Sequence, residues 1–163
     1  ITNDYTSIIL FGAKRTDEGN YKLTLVSSKD RERTESKLEI SILFKPEVTI
    51  DGDQEQYVAK GSNIRLICRF DASPPVSEVQ WIKDGTVIAG NSSKLISDSR
   101  VAILSFNGSQ IQLLITAASR KDGGNYTCSV TNILNSTRET TQITIEDKPE
   151  IITHPHSITT GEG

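Results

Sequence analysis

The chain has 163 residues, of which 35% are hydrophobic and 24% charged, and its formal net charge is -3. This is the composition of an ordinary soluble globular protein. Without a basic excess it lacks the electrostatic footprint of a nucleic-acid-binding protein. We therefore expect no nucleic-acid binding. Since no apolar run is long enough to cross a bilayer, we also expect no direct membrane insertion of this segment.

Two short phrases recur at a nearly constant distance along the chain. The sequence DEGNY of residues 17–21 returns as DGGNY at residues 122–126, and KPEV at 45–48 returns as KPEI at 148–151. A repeat of this period is about the size of one small domain. We therefore predict three units: the C-terminal part of a domain over residues 1–44, a complete domain over residues 46–146, and the start of a third over residues 148–163.

The first unit matches the second half of the complete repeat. In this match Leu23 takes the position that Cys128 holds in the complete repeat. Strands that end in Leu38, Ile40 and Ile42 would present an apolar face that nothing in the unit covers. The mixed-charge run from residue 29 to 37 is interpreted as the loop between the last two strands, most simply a solvated hairpin tip.

Alternation of apolar and polar residues predicts strands throughout the complete repeat. In residues 64–70 every second residue is apolar, so these side chains lie on one face of a strand. Further strands are predicted around Val79 and Trp81 and at 101–104, 111–115, 126–130 and 142–145. Asp84-Gly85 and Asn107-Gly108 each signal a hairpin turn. Because no ten-residue stretch shows a helical stripe, the predicted fold class is an all-β sandwich.

The two cysteines fall on inward-facing positions of separate strands, and the only tryptophan lies between them. Cys68, Trp81 and Cys128 resemble the Cys…Trp…Cys pattern of the immunoglobulin fold, and the D-x-G-x-Y-x-C sequence of residues 122–128 resembles its tyrosine corner. The W-x-K-D-G sequence of residues 81–85 resembles the I-set subtype, common in tandem adhesion and receptor arrays. The resemblance implies an immunoglobulin-like β-sandwich for the whole complete repeat.

The resemblance also implies structural roles for individual residues. Cys68 and Cys128 would form a disulfide on which Trp81 packs; two buried free thiols are the alternative. The other core-structural positions are Arg100, Asp122, Gly124 and Tyr126. Among them, the tyrosine hydroxyl would bond to backbone just upstream, and the aspartate would pair with the arginine. None of these residues is expected to form a binding site.

Four Asn-x-Ser/Thr sequons permit glycosylation, at Asn91, Asn107, Asn125 and Asn135. Four is more than chance gives in a chain of this composition. Asn125 is predicted to face solvent, because its neighbours in the strand point the other way. Two sites have a simpler explanation, since Asn107 suits a type I′ turn and Asn135 suits a backbone with positive φ.

The sequence contains no recognisable catalytic constellation. Its only histidines are His154 and His156, and once the bridge forms no cysteine remains as a nucleophile. The His-Pro-His segment lacks nearby third and fourth ligands for a metal, so a solvated linker or first strand is the simpler interpretation. No glycine-rich loop leads into a helix. We expect no enzyme activity and no cofactor or metal.

The family resemblance implies function through surface binding. A disulfide persists in oxidising compartments, and with the sequons it favours a non-catalytic extracellular array, a glycoprotein that binds other proteins in adhesion, receptor or matrix assemblies. Such partners would be homophilic or heterophilic cell-surface or matrix ligands. Leucine in place of the second cysteine, as at Leu23, also occurs in cytosolic muscle-type arrays, which are the main alternative. The ectodomain of a receptor kinase is another.

Overall fold

The structure is a computed structural model that describes residues 11–91 and 98–147. The predicted third unit, including His154 and His156, lies outside the described residues. Within them the regular elements are almost all strands, which confirms the predicted all-β class. The strands are β1 Gly19–Val26, β2 Arg33–Ile40, β3 Phe44–Ile50, β4 Glu55–Ala59, β5 Ile64–Ser73, β6 Glu78–Lys83, β7 Thr86–Gly90, β8 Val101–Asn107, β9 Gln110–Ile115, β10 Gly124–Thr131 and β11 Ser136–Glu146, and the 3₁₀ turns are Arg15–Asp17 and Arg120–Asp122.

Strands β3 to β11 form two sheets that enclose one core. One sheet has the order β3-β5-β9-β8 and the other β4-β11-β10-β6-β7. All neighbours are antiparallel except β4 and β11, which run parallel. Buried and exposed residues alternate as predicted, most regularly along β5 and β9. The buried apolar residues between the sheets are Ile64, Leu66, Cys68, Phe70, Val79, Trp81, Ala89, Ile111, Leu113, Ile115, Ala118, Tyr126, Cys128, Val130 and Ile143.

The two predicted hairpins are present, but their turns differ. Asp84 and Gly85, between β6 and β7, have φ of 46° and 85°, the left-handed values of a type I′ turn. The type I′ turn expected at Asn107 is wrong: Asn107 pairs with Gln110, outside the two central residues, and its φ is not positive. Its Oδ1 instead accepts bonds from the backbone N–H groups of Ser109 and Gln110. The side chain thus closes the turn without left-handed backbone.

In the loop between β10 and β11, a side chain again shapes the turn where left-handed backbone was expected. Asn135 was expected to adopt positive φ, and this is wrong. Asn132 N–H donates to the Asn135 carbonyl at 3.0 Å, and Asn132 Oδ1 accepts from the N–H groups of Leu134 and Asn135. The buried Asn132 carboxamide therefore shapes the loop.

Strands β1 and β2 form a separate antiparallel pair. The loop between them is shorter than predicted, because the mixed-charge residues from Arg33 onward belong to β2, where Glu35 pairs with Lys22 of β1. As expected, apolar side chains of this pair are left uncovered, with Leu25 50% and Leu38 61% exposed. Strand β3 begins at Phe44, so only residues 41–43 separate it from β2.

The register of β1 and β2 explains why the two repeated phrases recur at slightly different distances along the chain. Gly19 pairs with Ile40 as Gly124 pairs with Ile143, so β1 and β10 are 105 positions apart whereas β2 and β11 are 103 apart. The difference lies in the intervening loops, which cover residues 27–32 in the first unit and 132–135 in the second. The two strand pairs are therefore equivalent, and only the loop at their tip has changed length.

Candidate functional site

The predicted disulfide lies at the centre of the sandwich. Cys68 on β5 and Cys128 on β10 are bonded, with their Cα atoms 6.3 Å apart, and thereby join the two sheets. Trp81 on β6 is the register neighbour of Cys128 and is fully buried. The structure therefore brings together the three residues that the family pattern relates.

A second cluster forms at the corner that leads into β10. The buried Tyr126 hydroxyl donates to the Asp122 carbonyl at 2.7 Å, and burial raises the pKa of this phenol. Gly124 has φ of 138°, where other residues are strained. An added Cβ there would also collide with the Asp84 carboxylate, which accepts from the Asn125 N–H at 2.8 Å. Asp84 was expected only as a turn residue, and this second role was missed.

Arg100 and Asp122 form the predicted ion pair beside this corner. The guanidinium donates to both carboxylate oxygens, at 2.8 and 3.0 Å, and also to Asp98 at 2.8 Å. Ser119 adds bonds to Asp122 from its N–H and hydroxyl. The bonds from Arg100 hold the pKa of the Asp122 carboxyl well below its ordinary value. Burial acts in the opposite direction, and the bonds from Ser119 lower the pKa further. The pair ties the start of β8 to the corner.

Removal of the Tyr126 hydroxyl, as in Tyr126→Phe, is expected to lower the free energy of unfolding by about 1 kcal/mol, because a buried hydrogen bond is lost. Urea unfolding followed by Trp81 fluorescence measures this, since Trp81 is the only tryptophan and lies in the sandwich core. Tyr57→Phe is the matched control, because that hydroxyl is exposed. Equal midpoints for Tyr126→Phe and Tyr57→Phe would contradict the prediction.

The four sequon asparagines differ in their surroundings. All four are exposed, and the expectation that Asn125 faces solvent is met. Asn91 is held against β6, where its Oδ1 accepts from Val79 N–H at 3.0 Å and its Nδ2 lies 3.5 Å from the Ser77 carbonyl. The Asn107 side chain bonds to neighbouring backbone through its Oδ1, as described above, and Asn135 Oδ1 accepts from the Ser136 N–H at 2.8 Å. Whether any of the four carries a glycan stays a prediction.

Neither a cluster of metal ligands nor a membrane-spanning helix occurs among the described residues. Residues 11–91 and 98–147 contain no group of three or more His, Cys, Asp or Glu side chains that could hold a metal ion. No helix among the described residues has the length and apolarity needed to cross a bilayer.

One contact that sequence analysis missed joins the first unit to the sandwich. The Arg15 guanidinium lies 2.9 Å from the Glu47 carboxylate and 3.2 Å from that of Asp71. It also stacks 3.5 Å from the centroid of the Phe44 ring. The repeat could have revealed this residue, because Arg15 and Arg120 occupy the same position in their corners.

Comparison with known proteins identifies the pattern. A family model described as immunoglobulin domain matches residues 45–132. The chain is 27% identical over 161 residues to human protein turtle homolog B, covering 96% of this chain and 11% of that protein. It is 24% identical over 166 residues to muscle M-line assembly protein unc-89 of Caenorhabditis elegans, covering 99% and 2%. The chain thus spans a small part of these relatives.

A solved structure agrees on the fold. The crystal structure of Dpr2 Ig1-Ig2 in complex with DIP-Theta Ig1-Ig3 superposes with a TM-score of 0.63 and 21% identity, covering 84% of this chain and 44% of that one. At this identity the likeness concerns the fold. It confirms the immunoglobulin-like sandwich expected from the cysteine, tryptophan and tyrosine-corner positions.

Proposed function

Since the chain belongs to the immunoglobulin domain family, we propose that it is a non-catalytic part of an extracellular tandem array that binds other proteins in adhesion, receptor or matrix assemblies. Residues 1–44, 46–146 and 148–163 would then belong to three consecutive domains. The observation that carries the proposal is the Cys68–Cys128 disulfide, because such bridges persist outside cells and are rare in the cytosol. The Dpr2 complex, in which tandem immunoglobulin domains meet a second protein, supports a protein partner.

Glycosylation belongs to the same proposal. Asn125, Asn107 and Asn135 are the favoured acceptors, because each is exposed. The side chains of Asn107 and Asn135 bond through Oδ1, which leaves Nδ2, the atom that carries the glycan, available. Asn91 is less favoured, since its carboxamide is held by the backbone of β6. Occupied sites would place the chain in the secretory pathway, where the disulfide also forms.

Peptide mass spectrometry of the protein isolated from its source tests the proposal. Free thiols are alkylated first, and digestion is carried out with and without an N-glycosidase. We expect Cys68 and Cys128 in one bridged peptide pair and a glycan on Asn125. Reduced cysteines together with four unmodified sequons would contradict an extracellular array.

A cytosolic structural array of the muscle type is the second candidate. It is favoured by Leu23, which is partly buried where the neighbouring repeat has Cys128, and by the likeness to a muscle M-line assembly protein. In this function the central bridge would be absent in the cell and the sandwich would depend on packing alone. The same mass spectrometry separates the two candidates, because only the extracellular one predicts a bridge and glycans.

A further inference from the structure

The Arg15 side chain crosses the junction between the first unit and the sandwich. Arg15 projects from the 3₁₀ corner Arg15–Asp17 and contacts Glu47 and Phe44 of β3 and Asp71 of β5. The corner is fixed locally, since Lys14 N–H donates to Asp17 Oδ2 at 2.7 Å. The contacts therefore link a rigid turn of one repeat to two adjacent strands of the next.

The chemistry of the contact suits arginine in particular. A single exposed ion pair contributes little to stability. A planar guanidinium, however, can bind two carboxylates along its edges while an aromatic ring covers its face. Arg15 does both, and only residues 41–43 separate β2 from β3, so the side chain restrains a junction that is already short.

The same pair of positions meets at the next junction. Arg120 corresponds to Arg15 by the spacing of β1 and β10, and Asp147 corresponds to Phe44 by the register of β2 and β11. The structure pairs the guanidinium of Arg120 with the carboxylate of Asp147.

We propose that Arg15 is an inter-repeat clamp, which binds the first two paired strands of the following repeat through Glu47, Asp71 and the Phe44 ring. The partner surface is thus the next immunoglobulin domain of the same array, recognised through two carboxylates and one aromatic ring. The clamp fixes the angle between neighbours, and it goes beyond the proposed function because it requires no external partner and no particular compartment.

Backbone ¹⁵N relaxation of the full chain tests the first junction. In the unsubstituted protein, we expect one rotational correlation time for β1, β2 and the sandwich. Arg15→Ala should give β1 and β2 a shorter apparent time than β5. Arg33→Ala should not, because it removes an exposed arginine at the end of the β1–β2 pair that lies away from β3. Separate times in the unsubstituted chain, or a common time in Arg15→Ala, would overturn the proposal.

A charge-retaining variant sharpens the test. Arg15→Lys keeps the charge but cannot bind both carboxylates and cover the ring together, so we expect it to separate the two correlation times as well. A common time in Arg15→Lys would overturn the clamp and leave a simple charge attraction.

Discussion

Replacement of both cysteines, Cys68→Ala with Cys128→Ala, is expected to lower the free energy of unfolding by roughly 4 kcal/mol in the chain-entropy description. The bridge closes a loop of 60 residues, and both cysteines are fully buried. This is a large share of the stability of a typical small domain, about 5 to 15 kcal/mol. Urea unfolding followed by Trp81 fluorescence measures the loss.

Reductant provides the control for this prediction. The unsubstituted protein should lose most of the same stability when the bridge is reduced, and the double alanine variant should not respond to reductant at all. An oxidised protein and a double variant with the same unfolding midpoint would show that the bridge contributes nothing, and stability would then come from the packing around Trp81 alone.

Asp122→Asn is expected to lower the free energy of unfolding at neutral pH by about 3 kcal/mol, because it removes the more buried of the two carboxylates that pair with Arg100 and leaves only Asp98. The Asp122 side chain is only 9% exposed and that of Arg100 24%. The Arg100 bonds depress the pKa of Asp122 in the folded state. The stabilisation is therefore complete above the ordinary carboxyl pKa, about 4, and is lost progressively at lower pH.

The unfolding midpoints of the two proteins should accordingly converge as the pH falls below about 4. Asp51→Asn is the matched control: its bidentate bond to Arg69 is similar in geometry, but both side chains are exposed. We expect a much smaller loss there, because solvent screens an exposed ion pair. A difference between Asp122→Asn and the unsubstituted protein that stays constant down to pH 2 would contradict the assignment.

The strands and the core could be predicted from the sequence because both depend on alternation. Every second residue from Ile64 to Phe70 is apolar, and a strand with one buried face requires this pattern. The family pattern then identified Cys68, Trp81 and Cys128, which the sandwich brings together in its core. Asp122 and Arg100 are 22 residues apart, and only the resemblance related them.

The turns and the junction could not be predicted in the same way. Positive φ was expected at Asn107 and Asn135 from residue type alone. In the structure the carboxamide oxygens of Asn107 and Asn132 accept bonds from nearby N–H groups and shape these turns without left-handed backbone. Arg15 has an ordinary exposed sequence context, and its partners Glu47 and Asp71 become visible only when two repeats are placed end to end. Sequence periodicity reports which side chains are buried, and it carries little information about contacts between surfaces.

The parallel pairing of β4 with β11 has a mechanical consequence. Tension applied through residues 44 and 147 pulls these strands in opposite directions along their length, so their hydrogen bonds, from Gln142 with Glu55 to Glu146 with Ala59, bear the load together. If they part, the Cys68–Cys128 bridge still withholds 60 residues from extension, about 200 Å of contour length. The domain would then yield in two stages, and the redox state of its surroundings would decide whether the second stage is reached.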